Sequence, residues 1–373
     1  MNNGHWEKNR DWLLPLLVCP DCGDRLGYVH PQAAPAHLEG YLLCNHCGEF
    51  PVITGIPRLL PEKYLHVYLA KYYPDILEIL NSKKRFKHLA KIDKDEEIVI
   101  RTMFSFGYQW NTFNEDHMVW GKEYERCMSP LKPEHFSSDK IVADIGCGMG
   151  RMIYRASQEK ARFVGIDLSN AIESASQLCK NKGNVIFIQA DILNPPFKER
   201  SFDTIYSVGV LHHLPGGISK GITILIKLLK DSGFLHTWLY GNQRGDDKIS
   251  FGIILRKLIK KFPLRLIYIF AYVHALCVLL LINYPALLLS KISVLKVVAS
   301  KFPFHSWRTM NLKAIACNVF DYYATPIEFG YDKNLLELEI SKHHLIDWKL
   351  EALSTPLRRN ESWYLYGRKS NPT

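Results

Sequence analysis

The sequence lacks several features that would assign it to a special class of protein. Its 373 residues include only nine cysteines, too few for a disulfide scaffold of this size. Hydrophobic residues make up 47% and charged residues 23%, which excludes a disordered, collagen-like or multi-span membrane chain. Residues 1–10 are polar and contain no apolar signal-peptide core. We therefore expect a cytoplasmic chain of two to three domains.

Acidic residues are nearly missing from one segment. The whole chain has a formal net charge of +10. Residues 241–320 contain twelve Lys and Arg but only two acids, Asp246 and Asp247, so this segment accounts for the entire excess. A basic balance fits nucleic acid, a membrane surface or an anionic substrate as the partner.

Short apolar runs alternate with helical patterns from residue 140 onward. Strands are predicted at Ile141–Ile145, Phe163–Ile166, Val185–Ile188, Phe202–Val208, Phe234–Leu239, Trp348–Leu353 and Trp363–Arg368. Helices are predicted at Met152–Glu159, Asn170–Asn181, Ser219–Lys230 and Asn334–His343. This alternation favours βαβ units and a parallel sheet.

Four cysteines have the spacing of a metal site. Cys19 and Cys22 form one Cys-x-x-Cys pair, and Cys44 and Cys47 form another after 21 intervening residues. Two such turns supply four thiolates to one tetrahedral ion and leave no open coordination position. The spacing predicts a structural zinc; unconnected buried thiols are the alternative.

Residues 16–61 resemble a known family. The two cysteine pairs, followed by the run from Phe50 to Leu60, are similar to the small zinc-ribbon activator of tRNA and translation-factor methyltransferases. In that family the ribbon docks on a methyltransferase.

A glycine-rich loop follows the predicted strand Ile141–Ile145. Its glycines let the backbone approach a ligand closely, and the N-terminus of the helix that follows favours an anionic group. The next two predicted strands lead into Asp167 and Asp191. We expect Asp167 to accept bonds from ribose hydroxyls and Asp191 from an adenine amino group, with Ile192 against the ring.

These residues have the order seen in class I S-adenosylmethionine-dependent methyltransferases. The resemblance covers residues 135–240 and, more loosely, 321–368. It implies a Rossmann-like α/β fold with a seven-stranded sheet whose last strand is antiparallel. It also implies a donor site formed by Asp144, Gly146, Gly148, Gly150, Asp167, Asp191 and Ile192. Ordinary turn glycines and capping acids are the alternative interpretation.

The region after Phe202 resembles the fourth strand of small-molecule methyltransferases, including those of quinone biosynthesis. There the loop after this strand lies near the methyl donor, which assigns Ser207 to the donor site. His212 or His213 is a candidate general base, because an unperturbed imidazole titrates near neutrality. For each histidine the alternative is that it only caps the following helix or bonds to the backbone. Asn194-Pro-Pro-Phe197 matches a nitrogen-methyltransferase signature but follows the third strand, so we interpret it as a stiff loop.

Two aromatic segments have two interpretations each. Ser105–Phe113 either covers the donor site or anchors a helical linker. Tyr322 and Tyr323 either line an acceptor pocket or pack.

Leu266 to Ser290 contains 25 residues without Asp, Glu, Lys or Arg. A helix of that length reaches about 38 Å, enough to cross a bilayer. A single crossing conflicts with strands of one sheet on both sides of the run. The basic residues around it favour a peripheral contact at the inner face of a membrane, and a helical lid remains the alternative. RNA binding is weaker, because the basic residues are interleaved with Leu and Ile more than with stacking aromatics.

The sequence therefore predicts five regions: a zinc ribbon (1–62), a helical linker (63–130), the first part of a methyltransferase core (131–240), a basic apolar helical insertion (241–320) and the rest of the core (321–373). The expected activity is methyl transfer from S-adenosylmethionine, first to an oxygen of a small-molecule, glycan or lipid-linked acceptor. RNA or protein methylation is the alternative, and a non-enzymatic zinc-ribbon interaction module is a further one.

Overall fold

The computed structural model describes residues 5–371 apart from 32–33, 87–88, 90, 114–116, 243–250, 301–306, 309 and 354–361. Arg244, Asp246, Asp247, Lys248 and Lys301 of the basic segment lie outside the described residues. The chain divides into two compact units. Unit 1 comprises Met1–Gly107, Asp116–Gly245 and Ile327–Thr373, and unit 2 comprises Tyr108–Glu115 and Asp246–Pro326.

Over the described part of the chain, eleven strands form one sheet in unit 1. The strands are β1 (Gly27–Val29), β2 (Leu38–Cys44), β3 (Gly48–Ile53), β4 (Ile56–Leu59), β5 (Ile141–Ile145), β6 (Arg162–Asp167), β7 (Val185–Ala190), β8 (Phe202–Val208), β9 (Leu229–Tyr240), β10 (Leu345–Ala352) and β11 (Ser362–Lys369). Their order is β1-β2-β3-β4-β7-β6-β5-β8-β9-β11-β10.

The helices are α1 (His5–Leu13), α2 (Glu62–Tyr72), α3 (Pro74–Ser82), α4 (Lys94–Thr112), α5 (His117–Met128), α6 (Arg151–Ala156), α7 (Ala171–Leu178), α8 (Gly217–Leu228), α9 (Phe251–Ile259), α10 (Leu264–Val278), α11 (Tyr284–Ser290), α12 (Lys296–Ser300), α13 (Leu312–Ala324) and α14 (Lys333–Ile340). The predicted helix Ser219–Lys230 runs two residues too far, because β9 begins at Leu229, directly after α8.

Strands β5 to β11 form the predicted seven-stranded methyltransferase sheet. β7, β6, β5, β8 and β9 are parallel, and their near-continuous apolar runs are typical of strands covered on both faces. β11 pairs antiparallel with β9 and with β10, as the resemblance implied. The fold class is therefore confirmed.

The ribbon strands extend this sheet rather than forming a separate layer. β1, β2, β3 and β4 are joined by antiparallel pairing, and β4 then pairs in parallel with β7 through Arg58↔Gln189 and Leu59↔Ala190. The sequence did not indicate this junction, since β4 is only four residues long. Residues 1–62 consequently belong to the same compact unit as the core.

Unit 2 is helical in its described residues. α10 packs its small side chains Ala271 and Ala275 against α13, where Ala316 and Phe320 are also fully buried. A π-helical turn at Leu279–Asn283 joins α10 to α11, so Leu264–Ser290 is one helix of 27 residues. Pro285 lies inside this continuous helix directly after the π-helical turn, a local irregularity that accommodates its missing N–H.

Candidate functional site

The loop between β5 and α6 requires its three glycines. Gly146, Gly148 and Gly150 have φ values of 75°, 53° and 84°, a region that favours glycine. A Cβ added to Gly146 would come within 2.2 Å of a methyl group of Val210, and one on Gly150 within 2.8 Å of the Ala175 Cβ. Side chains are therefore disfavoured at these three positions by backbone conformation, and at Gly146 and Gly150 by steric contact as well.

Asp144 is the penultimate residue of β5, two positions before Gly146. Its side chain is buried, and Oδ2 makes no hydrogen bond of ordinary geometry to a described residue, although the Tyr206 hydroxyl lies close enough to lower the pKa of Asp144. Burial, with a smaller contribution from the neighbouring Asp167, raises the pKa of Asp144 to about 8. A cation bound beside Asp144 would stabilise its ionised form. Binding of a cation here would therefore be coupled to loss of the Asp144 carboxyl proton.

Asp167 closes the glycine loop from the end of β6. Oδ2 accepts the Gly148 N–H at 2.7 Å, and Oδ1 accepts the N–H and Oγ–H of Ser169 at 2.8 and 2.7 Å. A carboxylate offers about four lone-pair positions, so roughly one remains for a ligand hydroxyl. Burial raises the pKa of Asp167, while these donors oppose that rise.

Asp191 and Ile192 come directly after β7, the strand that pairs with β6. Asp191 is buried and accepts the Leu193 N–H at 2.9 Å and the Asn194 amide at 3.0 Å. Ile192 is 8% exposed. Because β6 and β7 are parallel, their carboxyl ends place Asp167 and Asp191 at the same edge of the sheet. The contact of Asp191 and Ile192 with an adenine ring stays a prediction.

Ser207 lies on β8, next to β5. Its side chain is fully buried, and its Oγ donates to the carbonyl of Ile145 at 3.0 Å. This bond fastens the end of β8 to the strand that carries the glycine loop. Its assignment as a donor contact remains a prediction.

His212 and His213 form one turn of 3₁₀ helix, but their environments differ. His212 is fully buried and stacks on Tyr240 at 3.8 Å, and its Nδ1 accepts the Tyr240 N–H at 3.4 Å. Burial lowers the pKa of His212 well below its usual value. His212 therefore stays neutral and packed.

The ring of His213 has a defined tautomer. Its Nδ1 lies 2.8 Å from the carbonyl oxygen of Ile327, which can only accept, so Nδ1 carries the proton and Nε2 the lone pair. The Phe106 ring lies 5.1 Å away, which places part of the Ser105–Phe113 segment against this histidine. Of the two candidates, His213 has the better geometry for proton transfer.

The cysteine pairs converge. The Sγ atoms of Cys19, Cys22, Cys44 and Cys47 all lie within 4.8 Å of one another, and Cys22 and Cys44 are 3.5 Å apart. A tetrahedral zinc with Zn–S bonds of about 2.3 Å requires sulfur–sulfur distances of roughly 3.8 Å. The cluster is therefore compatible with a structural zinc, as predicted.

The remaining candidate segments have packing contacts. Tyr323 is 3% exposed and packs edge-on against Phe270, while Arg256 lies 4.8 Å above the Tyr322 ring. The loop at 194–197 lies between β7 and β8, and its Pro196 carbonyl accepts the N–H of Val18 at 3.0 Å. That loop therefore contacts the N-terminal segment.

A buried arginine at the ribbon–core junction was not predicted. The Arg58 side chain is fully buried and donates to Gln189 at 3.0 Å and to Glu173 at 2.9 Å. Tyr68 and Tyr73 donate to the same Glu173 oxygen at 3.1 and 2.7 Å. These partners lie 10 to 131 positions away along the chain, so no local pattern indicates the network.

Comparison with known proteins agrees with the fold. Residues 142–233 match the family model described as a methyltransferase domain. A tRNA (carboxymethyluridine(34)-5-O)-methyltransferase of Arabidopsis thaliana is 29% identical over 118 residues, 31% of this chain and 28% of that protein. A tRNA U34 carboxymethyltransferase of Tolumonas auensis is 37% identical over 138 residues, 35% of this chain and 39% of that protein.

Another relative is named for a substrate other than tRNA. A sterol 24-C-methyltransferase of Pneumocystis carinii is 24% identical over 201 residues, 49% of this chain and 52% of that protein. The chain thus spans between 28% and 52% of the lengths of these three relatives. A solved structure of phosphoethanolamine N-methyltransferase 2 from Haemonchus contortus has a TM-score of 0.46 and 14% identity, over 76% of this chain and 61% of that one.

Proposed function

We propose that this chain, which carries a methyltransferase domain over residues 142–233, binds S-adenosylmethionine at the glycine loop and transfers its methyl group to an acceptor. The supporting observation is the buried Asp144 carboxyl group, whose Oδ2 makes no hydrogen bond of ordinary geometry within the described part of the chain, beside three conformationally required glycines. The donor supplies a methyl group activated by a positively charged sulfonium, together with an ammonium group. Both cations suit the electrostatics of Asp144.

Each acidic residue has a separate part in this proposal. Asp144 attracts and orients positive charge, Asp167 accepts a ribose hydroxyl while holding the Gly148 N–H, and Asp191 with Ile192 binds the adenine ring. His213 accepts a proton from the acceptor through Nε2, its tautomer being fixed by Ile327. Positioning supplies much of the rate of such a displacement, so the base adds to it rather than determining it.

The pH dependence of donor binding tests the role of Asp144. Below pH 8 the free carboxyl is protonated, because burial raises its pKa to about 8, and a cation prefers the ionised form. Donor affinity measured by calorimetry should rise with pH from 6 to 8, by up to about tenfold per unit. Asp144→Asn should lose this slope and retain only that of the donor's own amino group. Equal slopes would contradict the assignment, and no binding by the wild type at any pH would overturn the proposal.

Asp167→Ala tests the ribose contact. Hydrogen bonds to a charged group contribute about 1.5–3 kcal/mol, so donor affinity should fall roughly tenfold to a hundredfold. Asp139→Ala is the matched control, since this exposed acid precedes β5 and lies outside the site. Unchanged affinity in Asp167→Ala would refute the ribose assignment.

The acceptor is a separate proposal. The relatives named for tRNA favour RNA over the oxygen of a small molecule, so RNA is our first candidate. A lipid-linked acceptor is the second, favoured by the exposed apolar helix of unit 2 and by the sterol-directed relative. Total RNA, total protein and a lipid extract should be incubated in parallel with the enzyme and methyl-labelled donor. Label confined to the lipid extract would contradict the RNA proposal. Label confined to RNA would contradict the proposal of a lipid-linked acceptor.

A further inference from the structure

The exposed side of the long helix in unit 2 carries no charged side chain between Leu266 and Leu288. Its outward positions recur every three or four residues, the spacing of one helix face. We call them the apolar stripe: Leu266, Ile269, Val273, Leu276, Leu280, Leu281, Tyr284, Leu287 and Leu288. Leu281 and Leu288 are 70% and 64% exposed. Contiguous exposed apolar surface of this kind marks an interaction site.

The stripe is not needed for the core of unit 2. The opposite side of the same helix contributes Ile267, Ala271, Ala275 and Val278, all of them buried, and contacts α13 there. Only 28% of the most apolar window of this helix is buried. The stripe therefore faces away from the packing of its own unit.

Cations flank the stripe at both ends. Lys257, Lys261 and Arg265 are exposed before it, and Lys291 and Lys296 are exposed after it. Residues 248–320 contain no Asp or Glu at all. The surface thus combines an uncharged apolar centre with basic ends.

We propose that the apolar stripe docks into the headgroup–acyl boundary of an anionic lipid bilayer, with the flanking cations against lipid phosphates. Apolar burial and attraction to anionic headgroups act together in such interfacial helices. This inference goes beyond the proposed methyl transfer and does not depend on it.

Topology favours an interfacial helix over a crossing one. β9 and β11 are neighbours in one sheet, so the chain that leaves after β9 must return to the same side before β11. Within the described residues, Leu264–Ser290 is the one helix long and apolar enough to cross a membrane. A single crossing would leave the chain on the wrong side.

Other occupants fit the surface less well. RNA requires cations or stacking groups along its path, and the stripe offers one aromatic ring, Tyr284, and no cation. A second copy of the chain would bring two sets of basic flanks together, with no exposed acid in 248–320 to pair them. An anionic bilayer matches both the centre and the ends.

Vesicle flotation tests the proposal. The full-length protein is mixed with phosphatidylcholine vesicles containing about a third phosphatidylglycerol, or with phosphatidylcholine alone. We expect flotation with the anionic vesicles and a loss of at least tenfold with the neutral ones. The double variant Val273→Glu/Leu280→Glu should not float, whereas Leu335→Glu/Leu338→Glu on α14 should float like the wild type. The two pairs are matched, being 56% and 51% exposed on the stripe and 46% and 60% on α14.

The double variant Lys261→Gln/Lys291→Gln tests the contribution of the flanking cations. Each cation near an anionic surface contributes about fivefold in affinity, so binding should weaken roughly 25-fold. Thermal melting of every variant checks that the fold is intact. A wild type that fails to float, or a stripe variant that floats equally well, overturns the proposal. So does a lipid-free dimer of the wild type that the stripe variant dissociates, since it assigns the face to a second copy. RNA binding that the stripe and charge variants both lose overturns it as well.

Discussion

Unit 1 and unit 2 place apolar and charged residues in opposite ways. In unit 1 the strands β5, β6 and β7 are buried, and the acids Asp144 and Asp191 lie inside that apolar surrounding. In unit 2 a helix turns a run of leucines and valines outward, with cations at both ends. This difference underlies our two proposals, in which unit 1 binds a small charged ligand in its interior and unit 2 contacts a lipid surface.

The largest expected effect comes from the cysteine cluster of unit 1. Structural zinc contributes a binding free energy on the order of 10 kcal/mol to folding. Replacing Cys19 with Ser should therefore remove the metal and unfold the ribbon. Elemental analysis should find about one zinc per wild-type chain, and hydrogen exchange should show lost protection in β2 and β3. Replacing the exposed Cys277 of unit 2 with Ser is the control and should change neither. A metal-free wild type with a stable ribbon would contradict this prediction.

The second-largest expected effect is on kcat, and it distinguishes His213 from His212 in unit 1. His213→Ala should lower kcat by about a hundredfold or more, because general bases contribute factors of that size. Its donor affinity should be unchanged. His212→Phe keeps the stacking on Tyr240 and should lower kcat only a few-fold, while reducing thermal stability. Steady-state kinetics measure kcat for both variants. Equal losses of kcat would contradict the assignment of the base to His213 and not to His212.

A third prediction concerns the junction of ribbon and core. Arg58→Met leaves Glu173 without its buried cation and should reduce the free energy of unfolding by about 2–4 kcal/mol, somewhat below the range for a fully buried pair because Glu173 is partly exposed. Arg10→Met breaks the more exposed pair with Glu7 and should cost under about 1 kcal/mol. Chemical denaturation measures both. Equal small losses would show that the junction does not depend on this charge.

The smallest effect tests the contrast between units directly. Leu276→Ala on the apolar stripe should change the free energy of unfolding by less than about 0.5 kcal/mol, because Leu276 is 44% exposed. The same replacement at the fully buried Leu225 of α8 should cost about 2–5 kcal/mol. A large cost at Leu276 would mean that the stripe is covered within the protein, which would break the comparison.

Sequence reasoning identified the parts of unit 1 that have local signals. β5 and β8 match their predicted bounds because apolar runs between turn residues mark buried strands. The cysteine spacing likewise indicated a cluster that the structure brings together. The pairing of β4 with β7 and the network of Arg58 could not be predicted, since they join residues far apart along the chain. The unequal burial of His212 and His213 was hidden for the same reason.

The parallel pairing of β4 with β7 has a consequence for how the ribbon is supplied. The corresponding activator family provides its ribbon as a separate protein, whereas here one chain carries both parts. Docking is then an intramolecular step, whose effective concentration is set by the connecting residues 63–130 and not by the protein concentration. Occupancy of the β7 edge then does not require a second protein, and in the structure β4 covers this edge. The ribbon of this protein is thereby committed to a single catalytic core in a fixed one-to-one ratio.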